Sequence, residues 1–324
     1  MNKIIEVKNL KKIFKQEIKK TWFKNKLNSF FHPEYKEFSA VSWIDISIYE
    51  GEKVAFLWPN WAWKSTTIKM LTWILHPTDG EIDVLWFNPS RSREELAYKI
   101  WAVFGQTSRL WYHLTPLDSF ELFWKMYDIS NDSLKSRLKY LVEKFEISEL
   151  VNIPVRKLSL WQRMRCEVVA SLIHKPKALF LDEPTIWLDL VAKQKLREII
   201  NEINKDEWTT IFLTSHDLWD IENICKRVII INWWKILYDG NLKELRRNYI
   251  KVKNIRVKFD SLDEKFKPLD FMKIKKTKDT FVEFEIPNSK ENLAKTFELL
   301  TNDYEVEDIT IEDPDIEEII KEFY

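Results

Sequence analysis

The sequence predicts an α/β fold organised around one strand, loop and helix, and three observations carry that prediction. Four apolar residues at 54–57 form a short buried strand, and after a loop the run I-K-M-L-T-W-I-L from Ile68 turns helical. A second apolar strand, 178–181, delivers Asp182 and Glu183 at its carboxyl end, with Pro184 reversing the chain. A third, 210–213, presents Thr214, Ser215, His216 and Asp217. Buried strands that end in polar residues and alternate with helices are the pattern of a sheet whose chemistry sits at its carboxyl edge.

The loop between the first strand and its helix reads W-P-N-W-A-W-K-S-T, from Trp58 through Pro59, Asn60, Trp61, Ala62 and Trp63 to Lys64, Ser65 and Thr66. Its ending is that of a phosphate-binding loop: backbone N–H groups cradle phosphates, the lysine reaches the β and γ oxygens, and the serine holds Mg²⁺. Such a loop demands glycine at its first and sixth positions, where backbone passes close to a polyphosphate. Here tryptophan stands at both.

Composition explains the conflict. The chain has 16 Trp and 4 Gly in 324 residues, whereas average usage would give roughly 23 glycines. Sixteen plus four is twenty, so the surplus tryptophans behave as glycines under another letter. The inference is a reading frame whose source decodes one stop codon as glycine, translated with a table that assigns tryptophan. A Trp-rich protein leaves the clustering of Trp at turns and motifs unexplained, and an engineered knock-out would not have touched so many loops.

The length fits one large domain plus a small one. A formal charge of zero argues against a general nucleic-acid binder. No apolar run is long enough to span a bilayer, and the amino terminus M-N-K-I-I-E-V-K is charged where a signal peptide would be greasy. Cys166 and Cys225 lack metal-ligand spacing, so both read as core residues in a reduced cytosolic setting.

In chain order, residues 4–14 alternate as a strand, and Phe14, or an aromatic just after it, is either an adenine-stacking platform or an ordinary strand residue. Residues 16–36 form a Lys-rich insertion, either a surface hairpin or a loop facing a membrane or partner. A strand at 41–48 holds Trp43, read as a turn glycine. Pro77 to Gly80 is a turn, and 81–85 returns as an edge strand. Trp86 and Trp101 stand where glycine would be natural, while Trp111, in an apolar run, stays a tryptophan. The strand 100–104 leads to Gln106, placed to reach a metal and an attacking water. Helical spacing from Asp118 to about Leu150 marks a helical insert. Leu158, Ser159, Leu160, Trp161, Gln162 and Arg163 precede another helix, and a serine hydroxyl with a glycine N–H there makes an anion site, or a plain helix cap. Asp182 can hold Mg²⁺ and Glu183 can polarise a water, although paired acids at a strand end are often merely solvated. Trp187, Leu188 and Asp189 form a turn before a helix at 191–203, and His216 is either a γ-phosphate ligand or a loop histidine.

Taken together, these motifs resemble the nucleotide-binding subunit of an ABC transporter over roughly residues 4–245. The likeness rests on 58–66 as Walker A and Gln106 as the Q-loop. With them come L-S-L-W-Q at 158–162 as the signature, F-L-D-E-P at 180–184 as Walker B, W-L-D at 187–189 as the D-loop and His216 as the switch histidine. Leu160 departs from the commonest glycine at its place. The phrases T-I-K-M-L-T-W-I-L-H-P-T, Q-R-M-R-C-E and E-P-T-I-W-L-D are similar to the ABC-2 type exporter branch.

The resemblance implies a P-loop NTPase cassette with an antiparallel edge sheet and a helical subdomain at about 112–175. A small α+β appendage at 246–324 follows, with strands at 255–259, 281–286 and 309–311, helices at 290–300 and 315–323, and ten acids from Asp303 to Glu322 against Lys321 alone. It also implies ATP and Mg²⁺ as cofactors, with Ser65, Gln106 and Asp182 at the metal and Glu183 and His216 catalytic. ABC-2 type permease chains and a second copy bound head to tail are the implied partners, with no nucleic acid, at the cytoplasmic face of a membrane. Two other classes compete. A non-transport ATPase of translation or DNA repair is opposed by the single cassette and the lack of a long coiled coil, and a dead-site binding protein requires the tryptophans to be real.

Overall fold

Alternating apolar residues make the first strands of this computed structural model a long hairpin. It describes residues 2–17, 35–57, 61–105, 108–186, 188–215, 217–232, 235–249, 251–260 and 266–314, with backbone alone at 17, 61–64, 131–134, 218 and 249. Trp58, Pro59, Asn60, Gln106, Trp187, His216 and the helix expected at 315–323 therefore lie outside the described residues. The contacts divide the chain into two compact units, Met1–Gly240 and Asn241–Tyr324.

In the first unit, β1 (Lys3–Glu17) pairs antiparallel with β2 (Tyr35–Tyr49) and with β4 (Asp79–Val84). Both strands of the hairpin run further than the alternation indicated. Gln16↔Lys36 and Glu17↔Tyr35 extend the ladder into the expected insertion, of which 18–34 are not described. A six-stranded sheet in the order β5-β6-β7-β3-β8-β9 lies at the centre. Its members are β3 (Lys53–Leu57), β5 (Ile100–Phe104), β6 (Ala178–Asp182), β7 (Thr210–Thr214), β8 (Arg227–Asn232) and β9 (Lys235–Asn241). The pairs from β5 through to β8 are parallel, and every residue of β6 and β7 is buried, as strands covered on both faces require. One apolar core, including Ile5, Ile46, Phe56, Ile68, Ile82, Phe180 and Phe212, joins this sheet to the antiparallel one.

Parallel strands need crossovers, and helices supply them. They are α1 (Trp61–Leu71), α2 (Arg93–Ala97), α3 (Pro116–Met126), α4 (Asn131–Lys144), α5 (Leu160–Leu172), α6 (Leu190–Glu207) and α7 (Leu218–Ile224). The start of α3 is written in T-P-L-D: Pro116 fits the first turn, Thr115 accepts from the Asp118 N–H at 3.1 Å, and Asp118 accepts from the Thr115 N–H at 3.0 Å. The start of α1 differs from expectation. It begins at Trp61 rather than Ile68, because tryptophan and alanine support a helical turn that glycine would open.

Several tryptophans adopt backbone that favours glycine. Eleven described non-glycine residues have positive φ, and four are tryptophans: Trp43 (57°), Trp73 (56°), Trp86 (64°) and Trp208 (55°). Leu85 and Trp86 are the two central residues of a hairpin turn closed by mutual bonds between Val84 and Phe87, the type that asks for X-Gly. Trp73 follows the end of α1 and Trp208 caps α6 in the left-handed conformation, where glycine is the usual choice. Trp43 is not in a turn, contrary to expectation. It lies within β2 where the register to β1 slips between Leu10 and Lys12, the site of a bulge. Trp43, Trp86 and Trp208 are 57%, 64% and 59% exposed, so burial does not offset the strain.

Trp101 corrects the expectation in the other direction. Its φ is not positive, and its ring is buried in β5 against Phe123, Tyr127 and His174, with the indole N–H unpartnered.

In the second unit, α8 (Leu242–Tyr249) precedes a four-stranded antiparallel sheet in the order β11-β12-β10-β13. Its strands are β10 (Val252–Phe259), β11 (Lys273–Lys278), β12 (Phe281–Pro287) and β13 (Val306–Glu312), and α9 (Lys290–Asp303) packs on it. The acids of β13 and its exit pair with its neighbour: Lys258 with Glu307 at 2.6 Å, Arg256 with Glu312 at 3.1 Å and Lys253 with Asp313 at 2.7 Å.

Two outcomes test this architecture. In protein made with tryptophan at 208, Trp208→Gly is expected to raise stability by about 1 kcal/mol, read as a higher urea midpoint; a lower midpoint would contradict the strain. His174 stacks on Tyr127 with ring centroids 4.1 Å apart, and burial pushes its pKa down to about 4. The unfolded chain then binds the extra proton first, so stability falls as pH drops from about 6.5 towards 4, by on the order of 3 kcal/mol. His174→Phe should flatten that part of the profile of unfolding free energy against pH.

Candidate functional site

Strand β6 is apolar up to its last residue, so the first carboxylate it releases, Asp182, emerges at the carboxyl edge of the sheet. Two hydroxyls meet it there. Ser65, in the second turn of α1, donates from Oγ to Asp182 Oδ2 at 2.5 Å, and Thr214, the last residue of β7, donates from Oγ1 to Oδ1 at 2.6 Å. Register explains the second contact, since Asp182 lies directly opposite Thr214. The convergence of hydroxyl and carboxylate oxygens on one point is the hard-donor chemistry that suits Mg²⁺.

Glu183 follows with φ of 52°, a left-handed conformation that costs about 1–3 kcal/mol in a residue with a side chain. The neighbouring strand ends hold it there. Its N–H donates to the Thr214 carbonyl at 3.0 Å, and the Gly105 N–H donates to the Asp182 carbonyl at 2.8 Å. A Cβ at position 105 would fall 2.0 Å from the Glu183 carbonyl oxygen, so Gly105 is needed as bare backbone.

The remaining expected residues are placed as follows. Trp61, Ala62, Trp63 and Lys64 are described as helical backbone only, and Thr66 is buried beside Ser65. Phe14 is exposed near the end of β1, opposite Phe38, with the Lys12 ammonium 5.2 Å from its ring centre. Ser159 is the N-cap of α5; it accepts from the Gln162 N–H at 3.2 Å while the Gln162 side chain accepts from the Ser159 N–H at 2.9 Å. Trp161, one residue inside that helix, lies under the Arg165 guanidinium at 5.2 Å. Asp189 caps α6, accepting from the Ala192 N–H at 2.8 Å. The structure thus brings Ser65, Asp182 and Glu183 to one strand edge, whereas Ser159 and Gln162 partner each other and Asp189 its own helix.

Comparison with known proteins fits this geometry. The family model described as ABC transporter matches residues 41–186. The ABC transporter ATP-binding protein NatA of Bacillus subtilis (strain 168) is 28% identical over 215 residues, covering 66% of this chain and 87% of that protein. The lantibiotic transport ATP-binding protein SrtF of Streptococcus pyogenes is 34% identical over 213 residues, 64% of this chain and 89% of its own. The chain belongs to the ABC transporter family. A solved dimeric ATP-binding cassette in a post-hydrolysis state, bound to ADP and Pi, superposes with a TM-score of 0.60 over 74% of this chain and 98% of that one, at 22% identity, which shows the shared fold. As an ATP-binding subunit of that family the protein is an ATPase. No helix among its described residues is long and apolar enough to cross a membrane.

Two contributors to the cassette's site escaped the sequence reading. Thr214 was seen only as part of a polar strand exit, and its role against Asp182 depends on strand order. Glu167, on α5, is 3% exposed and binds the segment just after Gln106. It accepts from Ser108 Oγ at 2.8 Å, from the Arg109 N–H at 2.6 Å and from the Leu110 N–H at 3.4 Å. Burial pushes its carboxyl pKa up, against those donors. The available signal was a lone acid inside the apolar run C-E-V-V-A-S-L. Glu167→Ala orphans the Arg109 N–H, while the Leu110 N–H keeps Ser108 Oγ at 3.2 Å, and is expected to lower unfolding free energy by about 1–3 kcal/mol, with faster amide hydrogen exchange at 108–110 as the local check.

Proposed function

We propose that this cassette hydrolyses ATP to drive export through separate ABC-2 type permease chains, working as a head-to-tail pair of copies on the cytoplasmic face of a membrane. The observation that carries the reading is the meeting of Ser65, Asp182 and Thr214 beside Glu183. Lys64 would hold the β and γ phosphates, and Phe14 would stack on the adenine. Ser159 and position 161 of one copy would close over the nucleotide of the other, with Asp189 at that junction. Ser65, Gln106 and Asp182 would hold Mg²⁺, which supplies charge neutralisation on the phosphate oxygens when bound. Glu183 would take a proton from the attacking water, and His216 would donate to the γ-phosphate. The names of NatA and SrtF support a transport role, and the dimeric solved cassette supports pairing. Residues 246–324 would form an accessory domain.

The same reading includes glycine in the living cell at the motif positions 58, 61, 63, 161 and 187. Trp43, Trp73, Trp86 and Trp208 support it independently of the motifs, because each occupies a left-handed backbone position. Mass spectrometry of the tryptic peptide spanning 54–64 from source cells should return a mass lower by three tryptophan-to-glycine differences; the mass as written would end the catalytic reading. In natively decoded protein, Glu183→Gln should slow hydrolysis at least about a hundredfold and accumulate an ATP-bound dimer on size-exclusion chromatography. Turnover at the parent rate would remove Glu183 from the mechanism.

A further inference from the structure

Behind the strand edge lies a buried ion pair that none of the motifs contains. Asp220, in the first turn of α7, is fully buried, and Arg197, on α6, is nearly so. Arg197 Nε donates to Asp220 Oδ1 at 2.7 Å. The other carboxylate oxygen accepts two hydroxyls from different segments: Thr185 Oγ1, two residues after Glu183, and Ser215 Oγ at 2.8 Å, immediately before position 216. Ser215 in turn accepts from the Asp217 N–H at 3.0 Å, and Asp217 pairs with Lys193 at 2.5 Å, so both sides of position 216 are tied to α6.

This arrangement is poorly explained as a source of stability. Exchanging a buried ion pair for apolar side chains of similar volume is often neutral or stabilising, whereas such pairs can fix one arrangement among several. Here the arrangement fixed is the spacing between two chain segments. One carries Glu183 and the other carries His216. A single carboxylate oxygen shared by Thr185 and Ser215 lets neither segment shift relative to the other without breaking a charge-assisted bond.

We propose that Asp220, clamped by Arg197, is a positioning residue for hydrolysis. It braces the segment behind Glu183 against the segment ahead of His216, so that the two keep one separation through the catalytic cycle. The inference rests on the catalytic reading of Glu183 and His216. It does not require Asp220 to touch nucleotide, so its loss should act on turnover and leave binding alone.

The experiment uses the full chain as decoded in its source, with Thr185→Val, Ser215→Ala and Asp220→Asn compared with the conservative Thr185→Ser. Thr185→Val and Ser215→Ala leave the ion pair intact and so avoid stranding a buried charge. Each is expected to lower kcat about tenfold or more with KM for ATP unchanged within about twofold, and Thr185→Ser should restore the parent rate. Hydrogen exchange measured without nucleotide gives a readout independent of catalysis: Thr185→Val should speed exchange at 215–217, and Ser215→Ala at 183–186. Exchange confined to the mutated segment, or parent-like kcat in both variants, overturns the brace. A parent chain that fails to hydrolyse ATP overturns the catalytic reading instead, and the exchange data still decide whether the two segments are coupled.

Discussion

Close approach of backbone at the carboxyl edge of the parallel sheet governs the rest of the cassette. Strands β5 and β6 stay in register to their ends only because position 105 lacks a side chain that would strike the Glu183 carbonyl. That contact and the bond from the Glu183 N–H to Thr214 hold the chain in a left-handed turn just as it leaves β6. The turn frees the Asp182 carboxylate to face α1 and β7 together, where the hydroxyls of Ser65 and Thr214 satisfy it. A strained residue at a strand exit is stable because its neighbours over-determine it.

The same requirement for unencumbered backbone recurs far from the site, and there it accounts for residues that look misplaced. A bulge in β2, the ends of two helices and a tight hairpin all demand left-handed φ, and each carries a tryptophan with nothing to gain from burial at three of them. Asn9, Asp128 and Asp279 share that backbone, and asparagine or aspartate tolerates it better than an indole because a short polar side chain can bond locally. Left-handed backbone at these four tryptophans is what glycine would adopt without strain. Trp101 differs, because its backbone makes no such demand.

Strands whose burial matches their pattern were legible from the sequence. Residues 54–57, 178–181 and 210–213 are continuous apolar runs, and each became a strand of the central sheet. The strand β11, K-I-K-K-T-K, was not legible, because all six residues are exposed and no alternation marks it; its pairing with β12 makes it a strand. At the site, Asp182 and Ser65 were found because a motif names them. Glu167, Asp220 and Arg197 were missed because their meaning is tertiary: each is a charge on an otherwise ordinary helix until another segment supplies its partner. A charged residue inside an apolar helical run was the faint signal available, and it says that a partner exists without saying where.

Helix α1 ties the glycine question to the chemistry. With tryptophan at 61 and 63 the helix closes from Trp61, and the N–H groups without an intrahelical acceptor are those of its first turn. Glycine at both places would cost the first turn about 1 kcal/mol per residue relative to alanine, enough to open it. The unsatisfied N–H groups would then move to the residues around Lys64 and Ser65, one turn nearer the carboxylate of Asp182. A helix end of that kind attracts phosphate, and the opened residues would supply further N–H groups around it. Glycine would accommodate the left-handed backbone at Trp43, Trp86 and Trp208 and leave room for a polyphosphate before Lys64 for one reason, the absence of a side chain. A decoding that supplied glycine would relieve the strain in the fold and open the cradle by the same substitution.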